Sequence, residues 1–144
     1  MFSARIVEYV GIDPDLPQAF REDGFNLVAG KFPDDLPSEK PFDVITMLAV
    51  LEHLPEHSLG EVTLACARYL KFNGTLILTI PSSSTDRLLR LLTRLKIIDG
   101  MSLEDHYGFD IHQVPKIFNL DEFEFVHHKC FQLGFNNLFI FRKE

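Results

Sequence analysis

Asp13 is the first residue whose type and position point to chemistry. It closes the run Tyr9-Val10-Gly11-Ile12 and is followed by Pro14. An apolar run that ends in a bare carboxylate and a proline reads as a buried strand with an acid at its carboxyl end. At that edge of an α/β sheet, an acid can accept hydrogen bonds from both vicinal hydroxyls of a ribose. An aspartate before proline also closes ordinary turns. The ribose role normally comes with a glycine-rich turn about 20 residues earlier. Only 12 residues precede Asp13, and the closest pair among the eight glycines, Gly24 and Gly30, is six positions apart. The chain therefore holds neither GxG nor GxGxxG.

The other candidate groups are weaker. His53 and His57 are four apart, but Pro55 lies between them and frees them from a shared helical face. Glu104, Asp105 and His106 are adjacent, and His127 and His128 point to opposite sides of a strand. Solvated loop histidines account for this pattern, and no metal site is expected. Pro81-Ser82-Ser83-Ser84 lacks the GxSxG elbow of a serine hydrolase. Ser84 or Thr85 is instead expected to cap a following helix. Cys66 and Cys130 stand alone, without a CxxC, which argues against a thiolate metal knuckle or a redox pair.

Composition bounds the rest. With 144 residues, 46% hydrophobic and 24% charged, the chain is expected to form a single globular domain, 1–144. The formal net charge of −7 and the absence of a Lys/Arg stripe argue against a nucleic-acid surface. No apolar run approaches the ~18 residues of a membrane span. The first ten residues show no signal-peptide pattern. A soluble, cytoplasmic protein without a membrane partner is expected.

The elements that would position these groups can be read from periodicity. Residues 6–12 read as a strand, 13–24 as a loop or short helix, and 25–30 as a short strand. Residues 31–41 form a polar, proline-rich connection. Residues 42–54 begin as a buried strand and end as a loop over the sheet edge. A helix is expected over 58–71, with Ser58 as N-cap and Glu61 completing a capping box. Gly74 is expected to punctuate the step from helix to strand. Residues 75–81 read as a strand, 82–98 as an amphipathic helix, and 99–113 as a polar loop. Val114–Phe118 reads as a short helix, and 122–143 as two strands around a turn near Gly134–Asn137. Strands alternating with helices predict a Rossmann-like α/β domain, its sheet mostly parallel, with a C-terminal antiparallel hairpin.

Four stretches in this order, "YVGIDPD", "FDVITMLAVLEHL", "LKFNGTLILTIPS" and "LGFNNLFIFRK", resemble the class I S-adenosylmethionine-dependent methyltransferases of small-molecule type. The resemblance covers nearly the whole chain. It implies a sheet with strand order 3-2-1-4-5-7-6, S-adenosylmethionine as cofactor and a small-molecule methyl acceptor. Under it, Asp13 matches the acid that receives the ribose hydroxyls. Gly30-Lys31-Phe32 matches the segment beside the adenine. An acid often stands at the Lys31 position in the family; lysine cannot accept from the adenine amino group, which shifts that recognition to backbone groups and Phe32. Met47, Leu48 and Ala49 match the pocket wall. Glu52-His53 matches an "LEH" element in which His53 could act as a base. His106 and Tyr107 fall where the family places a substrate-side loop.

On this resemblance the first strand and the glycine-rich turn are expected to be missing, leaving the domain incomplete at its N-terminus. Three arrangements would answer that: the 6–12 strand pairs directly with the strand that opens 42–54, another chain fills the gap as a homodimer or strand-completing partner, or the sequence is a fragment. Methyl transfer by the isolated chain is then expected to be impaired. The alternative is a non-catalytic methyltransferase-like module or partner subunit.

Overall fold

The computed structural model describes residues 8–37, 40–82, 110–118 and 121–144. The chain divides into two compact units, Met1–Lys40 and Pro41–Glu144. The helix expected over 82–98, its cap at Ser84 or Thr85 and most of the 99–113 loop lie outside the described residues.

The first unit is a three-stranded sheet in the order β1-β3-β2, from β1 (Tyr9–Asp13), β2 (Phe20–Glu22) and β3 (Phe25–Ala29). β1 runs parallel to β3, with Asp13 opposite Ala29. Gly11 lies under the Leu27 side chain: a Cβ there would come within 2.7 Å of Leu27 Cδ2. The Tyr9 and Phe25 rings meet at 5.7 Å.

β2 corrects the expectation of a loop or short helix over 13–24. Asp23-Gly24 is a two-residue hairpin connection, and Gly24 adopts φ +84°, open to glycine at no steric cost. Phe20 and Glu22 therefore pair antiparallel with Leu27 and Phe25. The turn chemistry overrides a segment too polar and too short to show a strand period.

The second unit holds a four-stranded sheet in the order β4-β5-β7-β6. Its elements are β4 (Phe42–Leu48), α1 (Glu56–Tyr69), β5 (Leu70–Pro81), α2 (Val114–Ile117), β6 (Phe123–Phe131) and β7 (Asn136–Lys143). β4 and β5 are parallel, and β7 is antiparallel to both β5 and β6, giving the expected C-terminal hairpin. β1 and β4 are each an end strand of their own sheet.

The core follows the two-residue strand period. Leu76, Leu78 and Ile80 are fully buried and alternate with half-buried Thr75, Ile77 and Thr79. Phe139 and Phe141 stand beside Leu78 and Leu76 on β7. Leu59, Val62, Ala65 and Cys66 supply the buried side of α1. Phe118, just after α2, packs its ring 5.3 Å from Phe141 and 5.9 Å from Phe123.

Both ends of α1 differ from expectation. The helix begins at Glu56 with Pro55 as its N-cap, so the capping box on Ser58 is not formed. Pro55 is extended, with φ −65° and ψ 145°, and the Ser58 hydroxyl donates back to the Pro55 carbonyl at 2.8 Å. At the other end, Leu70 already belongs to β5, and Gly74 caps nothing. The left-handed residue is Asn73, φ +60°, inside a bulge between the Phe42–Leu70 and Val44–Thr75 pairs. Gly74 is required there because a Cβ would lie 2.7 Å from the Lys71 carbonyl oxygen. The last carbonyls of α1 are satisfied from far along the chain: Lys143 Nζ donates to the Ala67 carbonyl and, at 3.1 Å, to that of Leu70. A cation at a helix C-terminus also meets the negative end of its dipole.

Cys66 is fully buried in α1, and burial pushes its thiol up from 9.0 to about 12. The folded state therefore keeps this proton after the unfolded chain has lost it. The resulting stability is complete below pH 9 and falls as pH rises from there toward 12, at a slope of at most about 1.4 kcal/mol per pH unit. Denaturant melts at pH 8 and pH 10.5 are expected to show a larger alkaline loss in the unaltered chain than in Cys66→Ala. In the native state Cys130, which is exposed, should react with a thiol reagent well before Cys66.

The β6–β7 turn holds three consecutive left-handed residues, Gln132 (φ +50°), Leu133 (φ +58°) and Gly134 (φ +84°). Leu133 is 98% exposed, so no burial offsets its backbone cost. Left-handed geometry costs an L residue about 1–2 kcal/mol, against the greater unfolded-state entropy of glycine. Leu133→Gly is therefore expected to raise the unfolding free energy by about 0.5–1 kcal/mol, read as a higher denaturant midpoint at constant slope.

Candidate functional site

The carboxyl ends of β1 and β3 lie side by side because the two strands are parallel and in register to their last residues. The Gly30 N–H donates to the Asp13 carbonyl at 3.2 Å, so the loop leaving β3 starts against the end of β1. Pro14 has no N–H, and the next available amide, Asp15 N–H, donates to Asp13 Oδ1 at 2.8 Å. The Leu16 N–H donates to the Asp13 carbonyl at 3.4 Å. This turn fixes the Asp13 carboxylate at the sheet edge while leaving it exposed.

The Gly30-Lys31-Phe32 segment is held by Asp35. Asp35 N–H donates to the Lys31 carbonyl at 2.9 Å, and Asp35 Oδ2 accepts from the Lys31 N–H at 2.8 Å. The Leu36 N–H donates to the Pro33 carbonyl at 3.2 Å, and the Phe32–Pro33 peptide is cis. The Asp35 side chain fills the space where a Gly30 side chain would begin: its Cβ, Oδ2 and Cγ stand 2.5, 2.6 and 2.7 Å from that Cβ position. Lys31 is exposed and Phe32 half-buried.

In the second unit, Met47 is a core residue, 7% exposed, while its neighbour Leu48 is 60% exposed on the opposite side of β4. β4 ends at Leu48, and Ala49 after it takes φ +56° and donates its N–H to the Thr79 carbonyl (2.9 Å) and Oγ1 (3.1 Å). A 3-10 turn follows over Leu51–His53. It exposes the His53 imidazole and buries Glu52 to 3% exposure.

The structure thus brings Asp13 together with Gly30, Lys31 and Phe32 at one sheet edge. Met47, Leu48 and His53 belong to the second unit. His106 and Tyr107 lie outside the described residues. The sequence reading passed over Asp15 and Asp35. The signal for Asp35 was available: an aspartate four residues after Lys31, behind a proline, in a turn-forming stretch.

This edge suits the adenosine end of a nucleoside cofactor. An ionised carboxylate has about four lone-pair sites, and the Asp15 amide takes one, so Asp13 can still accept from both hydroxyls of a vicinal diol. Phe32 adds apolar ring surface three residues after Ala29, the ladder partner of Asp13. Among the described residues no three His, Cys, Asp or Glu side chains gather to hold a metal ion, and no helix is long and apolar enough to cross a membrane.

The sequence matches a family described as a methyltransferase domain over residues 1–131. No curated protein matches it. Among solved structures, the PH0226 protein of Pyrococcus horikoshii OT3 is similar with TM-score 0.66 and 17% identity, over 95% of this chain and 74% of that one. A TehB-like SAM-dependent methyltransferase from Corynebacterium glutamicum ATCC 13032 gives 0.63 and 15%, over 95% and 68%. Magnesium protoporphyrin IX methyltransferase from Synechocystis PCC 6803, solved with bound SAH, gives 0.57 and 15%, over 85% of this chain and 52% of its own length. At these identities the likeness carries the fold, a Rossmann-like α/β arrangement.

Proposed function

Because this chain belongs to the methyltransferase-domain family, we propose that it binds S-adenosylmethionine through the edge formed by β1 and β3 and serves methyl transfer to a small molecule. The observation that carries this reading is the Asp13 carboxylate, exposed at the end of β1 and tied through its own carbonyl to the Gly30 loop.

In this reading Asp13 accepts both ribose hydroxyls. Phe32 flanks the adenine. Lys31 is a donor only, so backbone groups of the loop receive the adenine amino group. When bound, the cofactor supplies an electrophilic methyl on a sulfonium, and the protein's part is to orient an acceptor toward it. His53, exposed on the 3-10 turn after β4, is the proposed base. His106 and Tyr107 are proposed for the acceptor side.

A calorimetric titration with S-adenosylhomocysteine tests this. Micromolar binding, about −8 kcal/mol, is expected. No heat and no thermal shift would overturn the reading.

A second reading is favoured by one observation: the 144 residues hold no glycine pair closer than six apart to approach the methionine end of the cofactor. The chain would then be a binding module that does not itself catalyse. S-adenosylhomocysteine binding without transfer of labelled methyl from S-adenosylmethionine to any of a panel of small nucleophiles would support the module. Label transfer would support the enzyme.

A further inference from the structure

We infer that Asp35 is a positioning residue of the β1–β3 edge, setting the loop that faces the ligand held by Asp13; this rests on the cofactor-binding role proposed above. Three observations converge on its side chain. Its Oδ2 accepts the Lys31 amide at 2.8 Å, and its own amide returns to the Lys31 carbonyl at 2.9 Å, so one residue closes the loop in both directions. Its Cβ and carboxyl group pack over Gly30 so tightly that a side chain at position 30 would collide with them at 2.5–2.7 Å. Gly30 in turn donates its N–H to the Asp13 carbonyl at 3.2 Å. The link therefore runs from the Asp35 carboxylate, through the Gly30-Lys31 main chain, to the residue that would hold the ribose.

The physical role is preorganisation. A five-residue loop with two polar ends, Lys31 and Asp35, samples many conformers unless something closes it, and each ordering cost met before binding is one the ligand does not meet. Asp35 closes the loop with an acceptor on an ionised group, a stronger type of hydrogen bond than a neutral pair. Lys31 and Phe32 are then held in one orientation beside Asp13 before any ligand arrives. Asp35 acts here through the Gly30-Lys31 main chain, and no ligand contact is assigned to it.

Asparagine at position 35 keeps an oxygen able to accept from the Lys31 N–H; alanine keeps none. The test is a titration of S-adenosylhomocysteine into the unaltered chain, Asp35→Asn and Asp35→Ala, with amide hydrogen exchange at Lys31 and thermal melting on each. Asp35→Ala is expected to raise Kd about tenfold and to lose protection at the Lys31 amide. Asp35→Asn is expected to retain that protection and to bind within about threefold of the unaltered chain. A lower melting temperature in Asp35→Ala with an unchanged Kd would mean a structural role alone and would overturn the inference. Equal losses in both variants would overturn it as well, because the loop acceptor would then not be what matters. If the unaltered chain binds nothing, the cofactor reading falls and this inference falls with it. Binding by all three with the same Kd removes this inference and leaves that reading standing.

Discussion

Asp13→Asn is expected to weaken S-adenosylhomocysteine binding by about 10–100-fold without unfolding the first unit. The variant separates two duties of one side chain. Asp13 Oδ1 accepts the Asp15 amide at 2.8 Å, and an asparagine oxygen can continue to do so, which preserves the turn. The second oxygen becomes an NH₂ group, a donor facing a hydroxyl that previously found an acceptor. A hydrogen bond to a charged group contributes about 1.5–3 kcal/mol, and each 1.4 kcal/mol is tenfold in affinity. Asp13 is exposed, so solvent competition places the effect toward the lower part of that span. Calorimetry gives the affinity, and the thermal midpoint of the variant reports whether the turn survives. Unchanged affinity in Asp13→Asn would remove Asp13 from the ribose site.

The second large effect is on stability. Phe141→Ala is expected to lower the unfolding free energy of the second unit by about 3–5 kcal/mol. Phe141 is 1% exposed and central to an aromatic cluster, 5.3 Å from Phe118, 5.5 Å from Phe125 and 6.5 Å from Phe123. It sits on β7, a strand paired on both sides, opposite Leu76 of β5 and Phe125 of β6. Removing the ring opens a cavity bounded by a sheet that cannot collapse without breaking ladders, so little of the loss is recovered. Whole domains are stable by only about 5–15 kcal/mol, so the variant should be close to unfolding at 37 °C. Phe125→Ala provides the contrast. That ring is 48% exposed, and its loss should cost less than about 1.5 kcal/mol. Equilibrium urea melts of both variants check the pair; a Phe141→Ala loss below that of Phe125→Ala would contradict the core assigned here.

Features with a short period were legible in the residues themselves. The alternation Leu76-Ile77-Leu78-Thr79-Ile80 marks a strand with one buried face. The run into Asp13 and Pro14 marks a strand end with an exposed acid, and residues 122–143 read as a hairpin, which β6 and β7 form. The strands other than β2, and their order along the chain, were legible at this level, because backbone geometry imposes a period of two on any half-buried strand.

What tertiary structure decided involves partners distant in sequence or turns too short to have a period. β2 exists because Gly24 reverses the chain in two residues. The Ala67 carbonyl near the end of α1 is met by Lys143, 76 positions further along the chain. Which of Met47 and Leu48 enters the core depends on which face of β4 finds cover, and alternation alone only says that they differ. The Asp35 carboxylate folds back over Gly30, a contact set by the turn's conformation. Local residue order determines which elements can form and which groups they carry; only the packed chain determines which backbone donors and acceptors those groups must satisfy, since an unpaired buried polar group costs as much as a good contact contributes.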